Sequence, residues 1–233
     1  MKYSVIIAAY NEQQAIAPLY WRLKVVMDQL GKPYEIIFVN DGSTDSTFNV
    51  LEDLRHNENH LIVINCRQNQ GQAMAFQIGF RKAQGSIVIT MDGDLQNEPK
   101  DIPQLLNKLG QGYDVVCGWR RNRADPFLIK LLSKIANISR RILLNEKIHD
   151  VSCSLRVYKK EVLQDIKLSG QMYYMLTAIL SANGYKLGEI EVENHPRKFG
   201  KSKFDIKTKL SSGWLLFNYL YSKSRFIRNN EPS

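Results

Sequence analysis

The sequence predicts an α/β fold in which helices flank a mostly parallel β-sheet. Apolar runs typical of buried strands recur about every 27 residues in the first half of the chain. They begin at Tyr3, Tyr34, Leu61, Ser86 and Tyr113. The segments between them carry apolar residues at helical spacing, as from Ile16 to Leu30. Such alternation of strands and helices predicts right-handed crossovers and parallel strands.

Local signals extend this prediction along the chain. A second helix is predicted from about Thr44 to Arg55, with Ser43 as its N-cap. Because no low-complexity linker interrupts the sequence, we expect residues 1–203 to form one domain. Residues 204–233 are predicted to form a basic amphipathic helix and a polar tail, since apolar and basic side chains are interleaved there.

The positive charge is concentrated in two segments. Residues 119–141 carry +6 and residues 195–230 carry +8, which leaves −5 for the rest of a chain whose net charge is +9. A nucleic acid, an anionic membrane surface and a phosphorylated substrate all fit such basic segments. Solvated basic helices explain the same pattern equally well.

Cysteine usage and hydropathy indicate the compartment. Cys66, Cys117 and Cys153 lack the spacing of a metal site, so we expect reduced core thiols. With no signal peptide in the sequence, a reducing cytoplasmic location is expected. No window approaches about 18 uninterrupted apolar residues, so no membrane-spanning segment is predicted.

Two carboxylates follow the fourth predicted strand. Residues i and i+2 of extended backbone point the same way, so Asp92 and Asp94 can converge on one cation. Oxygen ligands suit a hard ion such as Mg²⁺ or Mn²⁺, held jointly with substrate phosphates. A strand followed by an acidic turn is the alternative interpretation.

Polar residues also follow the first and second strands, at the edge where open α/β sheets bind ligands. Asn11 and Glu12 follow the first, and Asp41 and Gly42 follow the second. Asp41 can accept hydrogen bonds from a nucleoside, and Gly42 lets the backbone approach closely. The glycine motifs of dinucleotide-binding and P-loop proteins do not occur in the sequence.

Seven ordered motifs carry a resemblance to a known family. Those of the first half resemble family 2 glycosyltransferases with the GT-A fold, and those of the second half are similar to polyprenyl-phosphate glycosyltransferases. The motifs occupy residues 9–12, 39–45, 69–72, 91–99, 118–125, 150–158 and 197–204. The resemblance implies a Rossmann-like sheet and an inverting, metal-dependent transfer of a hexose or pentose. The donor would be a UDP- or GDP-sugar, and the acceptor a polyprenyl phosphate at the cytoplasmic membrane face.

The same resemblance implies roles for individual residues. The predicted nucleotide-binding residues are Ala9, Tyr10, Asn11, Glu12, Asp41, Gly42, Gln72 and Asp92. The predicted residues for the diphosphate and the acceptor are Arg120, Arg123, Ser133, Arg197 and Lys203. The predicted metal ligands are Asp94 and Gln96, and the catalytic set is Asp92, Asp94, Arg120 and Arg123. Arg156 is expected to form a buried ion pair, with Asp150 as a candidate partner.

The sequence departs from the family at Ala9, where a proline is usual, and at Ile129, where mannose synthases of the group tend to place an arginine. Basic and aromatic residues after Phe204 predict peripheral binding to an anionic membrane surface. A helix packed on its own domain or on a membrane-embedded partner subunit is the alternative. For the function, the alternatives are transfer to a soluble or protein-bound acceptor and a non-catalytic scaffold. Nucleic-acid binding is not expected, because the acidic strand edge would repel phosphate.

Overall fold

In the part of the chain that the structure describes, seven strands form one mixed sheet in the order β3-β2-β1-β4-β6-β5-β7. The computed structural model describes residues 2–121, 148–164, 166, 168, 173 and 175–199. The strands are Tyr3–Ala9 (β1), Tyr34–Asn40 (β2), Leu61–Asn65 (β3), Ile87–Asp92 (β4), Val115–Trp119 (β5), Arg156–Lys159 (β6) and Leu187–Glu191 (β7). The first five coincide with the predicted apolar runs. β6 is antiparallel to both β4 and β5, and the other strand pairs are parallel.

Helices cover both faces of the sheet. Those among the described residues are Ile16–Gln29 (α1), Thr47–Arg55 (α2), Gln72–Lys82 (α3), Ile102–Gly110 (α4) and Leu176–Ala182 (α5). Apolar residues of α1, α2 and α4 pack in one core cluster, and those of α3 and α5 pack in another. Strand β1 shows why its sequence is apolar throughout: Val5 and Ile7 enter the first cluster, while Ile6 enters the second.

The start of α2 differs from the prediction. The helix begins at Thr47, and the Ser46 that precedes it makes no side-chain capping bond. Ser43 instead donates to Asn40 and accepts the backbone N–H of Asn11. Ser43 therefore does not cap α2. Its hydroxyl instead joins the turns that follow β1 and β2.

Asp114, the residue before β5, links β5 to β6 and to the start of β7. Its carboxylate accepts from Lys159 Nζ and from the backbone N–H of Lys186, both at 2.8 Å. These hydrogen bonds hold the pKa of Asp114 below its usual value. Among the described residues, no helix is both long and apolar enough to cross a membrane.

Candidate active site

The carboxyl ends of β1, β2 and β4 meet at one edge of the sheet. In the register of the sheet, Ala9 pairs with Asn40 and Ala8 pairs with Asp92. The polar residues that follow these strands therefore face a shared space, as the sequence predicted. The geometry of each group decides what this edge can bind.

Asp92, the last residue of β4, is fixed by its neighbours. Its backbone N–H donates to Ser154 Oγ at 3.1 Å, and its carboxylate accepts a hydrogen bond from Gln72 Nε2. The Ser154 hydroxyl in turn donates to Asn97 Oδ1 at 2.9 Å. Burial and the nearby charge of Asp94 raise the pKa of Asp92 to about 6. This site accordingly favours a positive charge close to the two carboxylates.

Asp94 and Gln96 share a tight turn. The backbone N–H of Gln96 donates to Asp94 Oδ1 at 3.1 Å, and the intervening Leu95 has a φ of 62°. A branched residue adopts this left-handed conformation only when its surroundings impose it, and the Leu95 side chain is 3% exposed. Gln96 also exchanges two hydrogen bonds with the backbone of His195, at 2.9 and 3.3 Å. Carboxylate and amide oxygens on one rigid turn fit a hard divalent cation.

Asp41 shapes the loop that leads into α3. Its two carboxylate oxygens accept the backbone N–H groups of Gln70 and Gly71 at 2.9 and 2.8 Å. Gly42 follows with a φ of 67°, and a Cβ there would lie 2.6 Å from the backbone nitrogen of Asn69. Only glycine fits this close approach without strain. Nucleoside binding by Asp41 stays a prediction, beside the structural role that these contacts give it.

Asn11 and Glu12 join the turn after β1 to the turn after β2. The backbone N–H of Asn11 donates to Ser43 Oγ at 2.9 Å, and Asn11 Oδ1 accepts the Thr44 N–H at 2.8 Å. The Glu12 N–H donates to Thr47 Oγ1 at 2.8 Å. These bonds lock the two predicted nucleotide-binding turns into one surface.

Ala9 and Tyr10 differ in their exposure. Ala9 is 2% exposed, and its carbonyl oxygen accepts the backbone N–H of Asp41 at 2.8 Å. Tyr10 is partly exposed beside it. Ala9 is thus buried beneath the turn that carries Asp41, whereas Tyr10 is partly exposed.

Arg197 crosses the site from the segment after β7. Its guanidinium forms an ion pair with the buried carboxylate of Glu12, and its Nη1 lies 3.8 Å from Asp94 Oδ2. Its Nε donates to the carbonyl oxygen of Phe199 at 2.9 Å. The residue predicted to bind phosphate therefore lies against a predicted metal ligand, where it supplies positive charge.

Arg120 is held at the end of β5 by Asp150. Arg120 Nε and Nη2 donate to the two carboxylate oxygens at 2.7 and 3.1 Å, and Nη2 also donates to Ser152 Oγ at 2.9 Å. Burial disfavours the charge of Arg120, but the Asp150 carboxylate raises its pKa above the usual value. The suggested pairing of Asp150 with Arg156 is wrong. The two side chains bond to different groups, and Asp150 is taken up by Arg120.

A second group of potential metal ligands lies beside the first. Ligand atoms of Glu98, Glu193 and His195 all lie within 4.8 Å of one another. His195 Nε2 is 3.3 Å from Glu98 Oε2, and Arg22 Nη1 is 3.6 Å from the same oxygen. The contact between His195 and Glu98 also ties the segment after β7 to the chain that follows the Asp94 turn.

Sequence reasoning missed the residues that support the site. Asn97, Ser152 and Ser154 were assigned no role, and Asp150 was assigned only to Arg156, although each contacts a predicted site residue or its partner. Small polar residues at every second position after Asp150 were the available signal. Three predicted site residues, Arg123, Ser133 and Lys203, lie outside the described residues, as does the predicted helix from residue 204 onward.

The family is decided by comparison of the whole sequence with known proteins. The Glycosyl transferase family 2 profile matches residues 4–167. The chain belongs to this family. The match includes both the strand-end motifs and the Asp150–Ser154 segment. It confirms the resemblance predicted from the motifs, and it identifies the chain as a glycosyltransferase.

Two similar proteins are named for polyprenyl phosphates. Dodecaprenyl-phosphate galacturonate synthase of Rhizobium johnstonii is 36% identical over 211 residues, which cover 88% of this chain and 62% of that protein. Undecaprenyl-phosphate 4-deoxy-4-formamido-L-arabinose transferase of Pectobacterium carotovorum is 37% identical over 204 residues, covering 87% of this chain and 62% of that protein. The chain thus spans less than two thirds of the length of these relatives.

Solved structures of glycosyltransferases share the fold. Glucosyl-3-phosphoglycerate synthase from Mycobacterium tuberculosis, in complex with Mn²⁺ and UDP-glucose, has a TM-score of 0.66 at 18% identity, covering 86% of this chain and 72% of that one. TarS 1–349 from S. aureus, in complex with UDP-GlcNAc, has a TM-score of 0.60 at 18% identity, covering 86% and 60%. The predicted GT-A type fold with a mostly parallel sheet is confirmed.

Proposed function

We propose that this family 2 glycosyltransferase transfers a sugar from a UDP- or GDP-sugar to a polyprenyl phosphate. The observation that carries the proposal is the similarity, over most of the chain, to two enzymes named for dodecaprenyl and undecaprenyl phosphate. Their names specify a galacturonate and a formamido-arabinose, so the sugar transferred by this chain could be a hexose or a pentose derivative. The site geometry supports this assignment because carboxylates and arginines meet where a charged donor would bind.

The donor would lie across the shared edge of β1, β2 and β4. The turns that carry Asn11 and Asp41 would contact the nucleoside, and Asp92 would lie near the ribose. Asp94 and Gln96 would hold Mg²⁺ or Mn²⁺, since both offer oxygen ligands on one turn. When bound, that ion would supply positive charge to the departing nucleoside diphosphate.

The acceptor would attack without help from a strong base. A phosphate monoester is already anionic at neutral pH, so its oxygen carries no proton that must be removed before it attacks. The new bond forms between this oxygen and the anomeric carbon, while the bond to the diphosphate oxygen breaks, with inversion. Arg120 and Arg197 would neutralise the phosphate groups that come together, because a planar guanidinium matches phosphate oxygens.

The lipid acceptor requires contact with a membrane. We propose that the basic aromatic segment after Phe204 binds an anionic leaflet from the cytoplasmic side, alone or with a membrane-embedded partner subunit. The charge of +8 over residues 195–230 supports attraction to anionic lipid. Transfer would then occur where the phosphate headgroup meets the strand-end site.

The test is a donor screen against a polyprenyl phosphate. The full chain is incubated in detergent with undecaprenyl phosphate, Mg²⁺ or Mn²⁺, and a panel of UDP- and GDP-sugars that includes uronic acid and formamido-pentose donors. We expect one donor class to yield a sugar that extracts with the lipid and is released by mild acid. The matched control acceptor is undecaprenol, which lacks the phosphate.

Three results would contradict the proposal. Equal labelling of undecaprenol and undecaprenyl phosphate would show that the phosphate is not the acceptor group. Transfer only to a soluble sugar or protein added in a parallel reaction would favour the other class of acceptor. An absence of both nucleotide binding and transfer across the whole panel would favour the non-catalytic scaffold.

A further inference from the structure

A fully buried arginine lies behind the site and contacts neither Asp92 nor Arg120. Arg156, at the start of β6, is 0% exposed. Its Nε donates to the carbonyl oxygen of Cys153 at 2.8 Å, and its Nη2 donates to the carbonyl oxygen of Val151. Its guanidinium also lies 4.6 Å from the centre of the Tyr173 ring. These two hydrogen bonds go to one backbone turn, residues 150–154, which we call the Asp150 turn.

A charged side chain is an unusual choice for a fully buried position whose only role is packing. Removing a guanidinium from water is costly, and an apolar side chain of similar volume packs as well or better in many proteins. What an apolar side chain cannot do is donate to two carbonyl oxygens of a turn. The guanidinium therefore specifies the path of the Asp150 turn, whose carbonyls would otherwise be buried without donors.

The Asp150 turn contacts both halves of the site. At one end, Asp150 and Ser152 hold the guanidinium of Arg120, and Asp150 Oδ2 also accepts its backbone N–H at 3.3 Å. At the other end, Ser154 Oγ accepts the backbone N–H of Asp92. The carbonyl oxygen of Ser154 accepts the Thr90 hydroxyl at 2.7 Å, which joins the turn to β4.

We propose that Arg156 is a positioning residue that sets the Asp150 turn and thereby holds Arg120 and Asp92 in their relative places. The turn is the one described element that bonds to both residues, and Arg156 bonds to its middle. The kinetic consequence rests on the proposed function, whereas the structural consequence does not. Moving the turn by a fraction of an ångström would shift a phosphate-binding cation against a carboxylate of the nucleotide site.

The test compares Arg156→Met with a matched control in the full-length chain. Val157→Ala alters the next residue of β6, which is equally buried but packs in the core cluster on the other side of the sheet. Both variants lose stability, but Val157 makes no side-chain hydrogen bond to the turn. The first readout is hydrogen exchange at the amides of Asp92 and Arg120, which report the two ends of the turn.

We expect Arg156→Met to speed exchange at these two amides at least about 10-fold more than Val157→Ala does, at matched distance from each variant's melting temperature. In the transfer assay, kcat should fall by at least about 10-fold for Arg156→Met and by less than about 3-fold for Val157→Ala, with the nucleotide KM changed less than kcat. Wild-type exchange at both amides, or equal losses in the two variants, would overturn the proposal.

Arg156→Lys keeps the inference testable if the methionine variant does not fold. Lysine preserves the charge but lacks the fork that reaches two carbonyls, so faster exchange at Asp92 and Arg120 in a folded protein is expected. Failure of this variant to fold, or wild-type exchange in it, would make Arg156 a folding residue and overturn the positioning role. If the wild-type chain transfers no sugar, the proposed function fails, and the exchange measurement alone decides the role of Arg156.

Discussion

Arg197 offers the sharpest test of the site because it has a measurable role without any substrate. Its guanidinium pairs with Glu12, whose side chain is 6% exposed, and lies near Asp94, whose side chain is 12% exposed. A hydrogen bond to a charged group contributes about 1.5–3 kcal/mol. Since the Arg197 side chain is 18% exposed, we expect Arg197→Ala to lower the free energy of unfolding by an amount in the lower half of this range, about 2 kcal/mol.

The expected shift is readily measured. For a chain of this length, a loss of about 2 kcal/mol lowers the melting temperature by about 4–8 °C. If Arg197 also binds phosphate, kcat/KM should fall by at least about 10-fold, as for the loss of a charge-assisted contact. Thermal unfolding without ligand reports the ion pair, and transfer kinetics at a temperature where the variant is folded report the phosphate contact.

Lys198→Ala is the matched control, because Lys198 is an exposed cation in the same segment. It should change the melting temperature by less than about 2 °C. A double-mutant cycle with Glu12→Gln should give a coupling energy above about 1 kcal/mol. Coupling near zero would refute the ion pair. Near-normal kinetics with a lowered melting temperature would refute the phosphate role and leave a structural one.

Three further outcomes are expected. Asp94→Ala should lose at least about 100-fold in transfer while keeping its circular dichroism spectrum, and wild-type rates for this variant in EDTA would disprove the metal assignment. Because the folded pKa of Asp114 is depressed, its stabilisation is present above the unfolded value of about 4 and is lost as the pH falls below it. Asp114→Asn should therefore flatten the decline of the urea midpoint between about pH 5 and pH 3; an unchanged decline would exclude this contribution. The full chain should sediment with anionic liposomes, less so as salt rises, and more than a chain that ends at Phe204; equal sedimentation would exclude the tail as the anchor.

Short-range patterns explain why so much of the site could be predicted. Buried parallel strands are apolar on both faces, so the runs at Tyr3, Tyr34 and Ser86 were visible directly. Parallel strands also bring their carboxyl ends to one edge, so Asp41, Asp92 and Asp94 could be grouped from the sequence alone. The sequence by itself therefore determined the fold class, the sheet edge that carries the candidate site and the family.

Pairings between distant segments were decided only in the tertiary structure. The sequence suggested Arg156 as the partner of Asp150, but Arg120, which follows β5, is the residue that pairs with it. The antiparallel insertion of β6 between β4 and β5 turns Arg156 into the core and leaves Arg120 beside Asp150. The charges and the spacing of residues along the sequence do not reveal this strand order, because it depends on pairing between segments that are far apart in the sequence.

The contact of Arg197 with Glu12 has the same origin. The two residues are 185 positions apart, and each belongs to a motif that by itself predicts ligand binding. The two hydrogen bonds between Gln96 and His195, one from backbone to backbone and one from the Gln96 side chain, bring the segment after β7 onto the Asp94 turn and so place Arg197 near Glu12. Local sequence patterns thus identified which residues have side chains suited to bind ligands at the candidate site. Long-range backbone pairing decided which of them neutralise one another, because electrostatic partners are selected by distance in the folded chain and not by their order in the sequence.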